Sequence, residues 1–170
     1  AGGAGNDTIN MSGNYMQTHA GTGNDTINVS AQNSAAFGDA GNDRINVTGD
    51  SNTVDGGAGN DRIDLMGENN EASGGSGADT MIAWADNNVM RAGDGNDSLF
   101  VVGDNVEAHG GAGNDTFWME QGSDNSAFGG DGSDVIKSDL FNSGSGNTYD
   151  GGAGDDVLIS QKFNSDTTLN

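Results

Sequence analysis

The chain has 170 residues, of which 32% are apolar and 31 are glycine, and its formal charge is −21. So few apolar residues exclude a conventional globular core, and the negative charge disfavours nucleic acid and anionic membranes as partners while favouring cations. There is no cysteine, which excludes a disulfide framework and thiolate metal sites. The chain begins inside a repeat, so we expect it to be a fragment of a larger protein.

A glycine-rich unit recurs along the chain, as GGAGNDTIN from Gly2, GGAGNDRID from Gly56 and GGAGNDTFW from Gly110. The aspartates of the first seven copies are spaced 18 residues apart, and the last two follow after 19 and 22 residues. We call these residues the Asp row: Asp7, Asp25, Asp43, Asp61, Asp79, Asp97, Asp115, Asp134 and Asp156. A fixed period of this length predicts a solenoid in which each coil contacts only its neighbours.

Each aspartate is followed by an alternating stretch that predicts a short strand with one buried face. The second inward column of these strands ends on the polar Ser138 and Ser160. Their first inward column is Ile9, Ile27, Ile45, Ile63, Met81, Leu99, Phe117, Ile136 and Leu158. A fainter second strand has Ala36, Val54, Ala72, Met90 and Ala108 as its inward column. The expected fold is therefore all-β, a single parallel β-roll or β-helix domain of about nine coils.

We place the coils at about residues 1–20, 21–38, 39–56, 57–74, 75–92, 93–110, 111–129, 130–151 and 152–170. In the eighth coil, four extra residues around Leu140 to Gly146 must bulge before Asp156 can stack.

The Asp row opposes this fold unless a cation lies within it. Stacked carboxylates about 5 Å apart repel by roughly 3 to 4 kcal/mol at an effective dielectric of 20. Calcium prefers six to eight oxygen ligands, and glycine turns can direct carbonyl oxygens inward. Nine aspartates define eight gaps, and eight calcium ions in one row would reduce the formal charge from −21 to about −5.

These units resemble the repeats-in-toxin (RTX) nonapeptide, Gly-Gly-x-Gly-x-Asp-x-apolar-x. Residues 2–10, 56–64, 74–82, 110–118, 129–137 and 151–159 match it fully, whereas Ala20 and Ala92 replace the first glycine and Asp39 replaces a second glycine. The resemblance implies a calcium ion between successive coils, so that Asp61 and Asp79 share one ion with carbonyls of Gly57, Gly59, Gly74 and Ser76.

Across the chain the resemblance implies further calcium-binding backbone carbonyls. They are those of Gly3, Gly5, Gly21, Gly23, Gly41, Gly57, Gly59, Gly75, Gly77, Gly93, Gly95, Gly111, Gly113, Gly130 and Gly132.

The opposite edge lacks the nonapeptide. Nine residues beyond the Asp row stand Met16, Ser34, Asn52, Asn70, Asn88 and Val106, so we expect an Asn-rich turn without calcium there. A second acidic column, Asp50, Glu68, Asp86 and Asp104, also recurs every 18 residues. It is either a weaker cation row or a solvated turn in which Gly-Asp and Gly-Glu are favourable turn residues.

An outward-facing set of apolar side chains crosses coils four to seven, and we call it the apolar stripe: Met66, Ile82, Trp84, Phe100, Val102 and Trp118. Exposed apolar patches mark interfaces, so another protomer, a flanking domain or a glycan are the candidate partners. His19 and His109 lie five repeats apart and cannot share a site, so we predict no enzymatic activity and no catalytic residues.

The predicted function is that of a secreted or surface-attached bacterial module that folds on binding calcium outside the cell, exported by type I secretion as the resemblance implies. Three roles remain open. They are a structural or adhesive rod that self-associates, an accessory module of a secreted hydrolase or epimerase, and an ice- or glycan-binding module. A regular threonine column would favour ice, but the residue between the turn glycines is threonine only at Thr22.

Overall fold

The computed structural model describes residues 1–138, 144–160 and 168–169, and all regular secondary structure within them is β-strand. The extra residues of the eighth coil lie largely outside this description, because residues 139–143 are not among those described. No helix long and apolar enough to cross a membrane occurs in the described part of the chain.

The strands form two parallel sheets, and the chain alternates between them. The first sheet contains β1 (Gly3–Ala4), β3 (Gln17–Thr22), β5 (Ala35–Ala40), β7 (Thr53–Ala58), β9 (Glu71–Ser76), β11 (Val89–Asp94), β13 (Glu107–Ala112), β15 (Ser126–Asp131), β17 (Thr148–Ala153) and β19 (Thr168–Leu169). The second contains β2 (Thr8–Met11), β4 (Thr26–Val29), β6 (Arg44–Val47), β8 (Arg62–Leu65), β10 (Thr80–Ala83), β12 (Ser98–Val101), β14 (Thr116–Met119), β16 (Val135–Ser138) and β18 (Val157–Ser160).

Register follows the sequence period, since each residue pairs with the one a coil away: Ile63 pairs with Met81 and Met81 with Leu99. Across the insertion, Ser138 still pairs with Ser160. This arrangement confirms the predicted parallel solenoid of 18-residue coils, with two sheets joined by turns at two edges.

The core is a narrow stack between the two sheets. Ile45, Ile63, Met81, Leu99 and Phe117 are fully buried in the column that follows the Asp row. The fainter inward column of the other sheet is also buried, and it continues past Ala108 to Ala127 and Tyr149. The polar break at Ser138 is accommodated because the Tyr149 hydroxyl donates a hydrogen bond to Ser138 Oγ at 3.3 Å.

The two edges turn differently. At the edge opposite the Asp row, the residues with a left-handed backbone are Tyr15, Asn33, Ser51, Asn69, Asn87, Asn105 and Asp124, together with Gly122 and Gly146. At the Asp edge the left-handed positions are glycines, except for Asp39 with φ 70°. The glycines of the Asp edge have φ values of 93–148°, which L side chains rarely adopt, whereas the non-glycine residues opposite have φ values of 52–58°.

Candidate metal centre

Beyond the open first turn at Gly3 and Gly5, the glycine turns stack closely, and Asp39 is the one residue with a side chain at their left-handed positions in the described part of the chain. Gly75 and Gly77 have φ values of 112° and 126°. A Cβ on Gly77 would lie 2.6 Å from the carbonyl carbon of Gly59 in the preceding coil. Glycine at these two positions therefore allows the backbone of one turn to lie directly against the next.

From Asp25 onward, each carboxylate of the Asp row uses one oxygen to hold the preceding coil. The backbone N–H of Asp61 donates to Oδ1 of Asp79 at 2.7 Å, and Asp79 N–H donates in turn to Oδ1 of Asp97 at 2.7 Å. The same bond joins all eight successive pairs at 2.6–2.9 Å, including Asp134 N–H to Asp156 Oδ1. The expected stacking of Asp156 beyond the insertion is thus present.

The second carboxylate oxygen of these residues is buried without a donor. Within the described residues, Oδ2 has no hydrogen-bond partner in eight members of the row: Asp7, Asp25, Asp43, Asp61, Asp79, Asp97, Asp115 and Asp134. A buried carboxylate oxygen left unsatisfied is costly, and eight in one line destabilise the fold strongly unless something positive lies among them.

Backbone carbonyls converge on these free oxygens. A methyl carbon on Gly2 would lie 2.5 Å from both Asp7 Oδ2 and the carbonyl oxygen of Ala20. One on Gly74 would lie 2.6 Å from the carbonyl oxygen of Ala92 and closer still to Asp79 Oδ2. Both oxygens are acceptors, so neither can satisfy the other, whereas a hard cation that binds carboxylate and carbonyl oxygen at 2.3–2.6 Å fits this donor set.

Electrostatics lead to the same conclusion. Burial raises the pKa of Asp79 to about 7, and the charges of Asp61 and Asp97 add to the rise although the Asp61 N–H opposes it. Burial likewise raises the pKa of Asp61 and Asp115 to about 6, and it raises the pKa of Asp43, Asp97 and Asp134. These six carboxylates therefore hold protons more tightly than free aspartate does, and a bound cation would replace those protons.

The sequence-predicted carbonyls remain predictions as ligands, but the structure shows which carbonyl lies beside a free carboxylate oxygen. This carbonyl belongs to the first residue of the glycine turn in the following coil. The Gly74 carbonyl, for example, lies beside the free oxygen of Asp61. The equivalent carbonyls of Ala20, Gly56, Ala92, Gly129 and Gly151 were missing from the predicted set. Their sequence signal is the first position of the nonapeptide.

The opposite edge contains an uncharged counterpart that sequence reasoning described only as an Asn-rich turn. We call its inward residues the Asn row: Asn52, Asn70, Asn88, Asn125 and Asn147. Asn70 N–H donates to Oδ1 of Asn88 at 2.8 Å, repeating the bond of the Asp row. Here the second side-chain atom is a donor, because Asn88 Nδ2 bonds the carbonyls of Gly67 and Ala85 at 3.0 and 2.8 Å. The amides of Asn52, Asn88, Asn125 and Asn147 thus satisfy carbonyls at this edge, whereas Asn70 Nδ2 is buried without an acceptor.

The second acidic column binds backbone on the outside of the same turns. Asp50 Oδ1 accepts from Glu68 N–H at 2.9 Å, and Asp86 Oδ1 accepts from Asp104 N–H at 2.8 Å. Within the described residues no cluster of three or more His, Cys, Asp or Glu side chains is arranged to hold a metal. These contacts agree with the solvated-turn interpretation of the column.

Three members of the apolar stripe, Ile82, Phe100 and Trp118, lie on the second sheet, and the other three directly follow strands of that sheet. Phe100 and Trp118 stack with ring centroids 4.3 Å apart, and Lys137 Nζ lies 4.5 Å from the Trp118 ring centre. Ile82 is buried, whereas Trp84 is 53% exposed. The stripe is therefore a partly self-packed ladder whose most exposed indole is Trp84.

Comparison with known proteins agrees with this geometry. A family model described as the RTX calcium-binding nonapeptide repeat matches residues 1–10, 19–48, 37–71, 66–99, 103–125, 121–143 and 141–161. No curated protein matches the chain. Among solved structures, a hyperactive, Ca2+-dependent, β-helical antifreeze protein from an Antarctic bacterium is similar, with a TM-score of 0.67 and 27% identity over 98% of this chain. The match spans 60% of that protein's chain.

Proposed function

Because the chain belongs to the RTX calcium-binding nonapeptide repeat family, we propose that it is an extracellular rod that folds when a single row of about eight calcium ions fills its Asp edge. In this proposal each gap between successive coils holds one ion, bound by Asp-row carboxylates and glycine-turn carbonyls. The ions supply the positive charge that the row lacks, and the polypeptide supplies register and a water-poor edge.

The eight buried Oδ2 atoms without a donor carry this proposal. The Asn row supports it, since the same solenoid has an edge where an identical Oδ1 bond is accompanied by an amide donor. A chain that needed no cation could have used asparagine at both edges. Aspartate with no donor at one edge indicates that a cation completes that edge.

Calcium binding and folding are coupled in this rod. The unfolded chain has no preformed site, so the free energy of binding stabilises only the folded state. Extracellular modules bind calcium at roughly 10⁻⁴ to 10⁻³ M, well above the concentration in cytosol. The chain therefore stays unfolded before export and orders outside the cell, where the family's repeats typically act.

We place the structural or adhesive role first and an accessory role beside a secreted enzyme second. The partly exposed apolar stripe favours lateral association, as does the loss of net repulsion when calcium neutralises the row. An accessory module would instead remain monomeric. The similarity to an antifreeze protein makes ice binding a further candidate role. However, the residues between the turn glycines are Ala, Asp, Ser and one threonine, so they form no regular array of hydroxyl groups.

The decisive experiment is calcium titration of the metal-stripped protein, followed by far-UV circular dichroism and by isothermal calorimetry. We expect a cooperative change from coil to strand, with bound calcium close to one ion per gap. A fully folded spectrum without calcium, together with no heat of binding, would overturn the proposal. A thermal-hysteresis assay on the calcium-loaded protein tests the ice-binding role, for which we expect no activity.

A further inference from the structure

The first position of the glycine turn is not the same in every coil. It is Gly2, Ala20, Gly38, Gly56, Gly74, Ala92, Gly110, Gly129 and Gly151. This residue points inward at the Asp edge, next to the aspartate of its own coil. Two of the nine coils therefore have a methyl group where the others have only hydrogen.

The structure shows what a methyl group meets at this position. Built onto any of the seven glycines, a Cβ would lie less than 3.0 Å from Oδ2 of the aspartate in the same coil, a separation that Cβ atoms essentially never show. In six of them it would also lie within 2.6 Å of the first-position carbonyl oxygen of the next coil. The missing side chain thus leaves open the space on which the carboxylate and carbonyl oxygens converge.

Ala20 and Ala92 place a real methyl group in that space. Both alanines are completely buried, so their methyl groups cannot turn toward solvent. The aspartates beside them are Asp25 and Asp97, whose Oδ2 atoms are buried without a donor like those of the other coils. These two positions therefore have the same unsatisfied oxygen but less room around it.

We infer that the Asp25 and Asp97 gaps are weak calcium sites, so that the row consists of six strong sites interrupted by two weak ones. This inference rests on the proposed calcium row and specifies its internal order. The strong sites fall into blocks of one at Asp7, three from Asp43 to Asp79, and two at Asp115 and Asp134. The methyl groups of Ala20 and Ala92 weaken the two intervening sites by holding the carboxylate away from the carbonyl of the next coil.

Calcium release from the loaded rod tests the inference. The protein is saturated with calcium and mixed with excess fluorescent chelator, and the amplitudes of the release phases count the ions. We expect two ions in a fast phase, at least tenfold faster than the other six. Ala20→Gly and Ala92→Gly should each move one ion into the slow phase, and the double variant should release all eight slowly.

Two further variants serve as controls. Ala58→Gly makes the same chemical change at an exposed position of a glycine turn and should leave both amplitudes unchanged. Gly56→Ala adds a methyl beside Asp61 and should move one ion from the slow to the fast phase; if that variant does not fold, the alanine-to-glycine variants still decide the question.

Eight ions leaving the wild-type protein in one phase would overturn the inference while leaving the calcium row intact. So would a fast phase that Ala20→Gly and Ala92→Gly do not reduce. Absence of bound calcium would overturn the proposed function itself, so the two failures can be distinguished.

Discussion

The backbone N–H of Asp61 donates to Oδ1 of Asp79 across one coil at 2.7 Å, while Oδ2 of Asp79 is buried with no donor. One carboxylate thus has a structural oxygen that fixes the register and a free oxygen that requires a cation. An asparagine amide can therefore replace the structural oxygen, but it cannot replace the free oxygen.

Replacing Asp79 by asparagine should separate these two roles. Asn Oδ1 can keep the bond from Asp61, and the buried charge disappears, so Asp79→Asn should stabilise the calcium-free fold by about 1–3 kcal/mol. It should also remove one or two bound ions, because Asp79 borders two gaps. Far-UV circular dichroism without calcium measures the change in the folded fraction, and calorimetry counts the ions.

Asp104→Asn is the matched control, since it removes one charge from an exposed residue whose Oδ1 bond to Ser123 N–H can be kept. It should change neither the number of ions nor the calcium-free stability by more than about 0.5 kcal/mol. An equal loss of ions in both variants would show that general charge, and not the Asp row, holds calcium.

The reverse exchange at the Asn row should be harmful. Asn88→Asp places a carboxylate oxygen against the carbonyls of Gly67 and Ala85, which Asn88 Nδ2 now satisfies. We expect a loss of about 3–5 kcal/mol in unfolding free energy at pH 8, since an uncompensated buried charge replaces a donor. Calcium should not restore it, because the other buried members of the Asn row are uncharged and supply no second carboxylate. Full rescue by calcium would contradict that view of the site.

The calcium-free protein should become more stable as the pH falls. The pKa values of Asp61, Asp79 and Asp115 are raised to about 6, 7 and 6, above the ordinary value of 3.8. Between about pH 7 and pH 4 the folded state therefore binds more protons than the unfolded state, so the free energy of unfolding rises on acidification. Calcium affinity should fall over the same range, because protons and calcium compete for the row.

Far-UV circular dichroism of metal-stripped protein at pH 8, 6.5 and 5 measures this dependence as the fraction of the chain that is folded. Asp79→Asn is the control, because removal of the group with the highest of these pKa values should flatten the profile. A calcium-free fold that weakens steadily from pH 8 to pH 5 would show that the Asp row does not dominate its proton uptake.

Core packing should set the calcium concentration at which the chain folds. Leu99 is fully buried, and Leu99→Ala should cost about 2–5 kcal/mol. Shared among about eight coupled ions, 3 kcal/mol amounts to roughly a twofold increase in the calcium midpoint. Circular dichroism titration detects this shift, and Ser98→Ala on the outer side of the same strand should leave the midpoint unchanged. An unchanged midpoint for Leu99→Ala would mean that folding and binding are not coupled.

Trp84 should mediate lateral association of the calcium-loaded rod. It is the most exposed aromatic residue of the apolar stripe, whereas Trp118 packs between Phe100 and Lys137 and would damage the fold if replaced. We expect Trp84→Asp to lower the mass seen by light scattering in calcium. Tyr15→Asp is the control, because Tyr15 is 82% exposed but lies outside the stripe. Equal masses for the wild-type protein and Trp84→Asp would exclude the stripe as the interface.

The period of the chain was sufficient to predict the solenoid, its inward columns and the Asp edge. A strict 18-residue spacing brings every Ile, Val or Leu column into register, so the pairing of Ile63 with Met81 on neighbouring strands followed from the spacing alone. The Asn row was only partly predictable. The spacing identified Asn52, Asn70 and Asn88 as turn residues, but their inward orientation and their amide bonds depend on how the turn bends.

What the sequence by itself determined is the repeat, and with it the fold, the family and the position of nine carboxylates along one edge. What only the tertiary structure decided is how the oxygens of each carboxylate are used, which carbonyl lies beside the free one, and that the first turn position of seven coils has no room for a methyl group. The physical reason is that the two depend on different distances. A period follows from spacing along the chain, whereas hydrogen bonds and van der Waals contacts depend on ångström separations between residues a full coil apart.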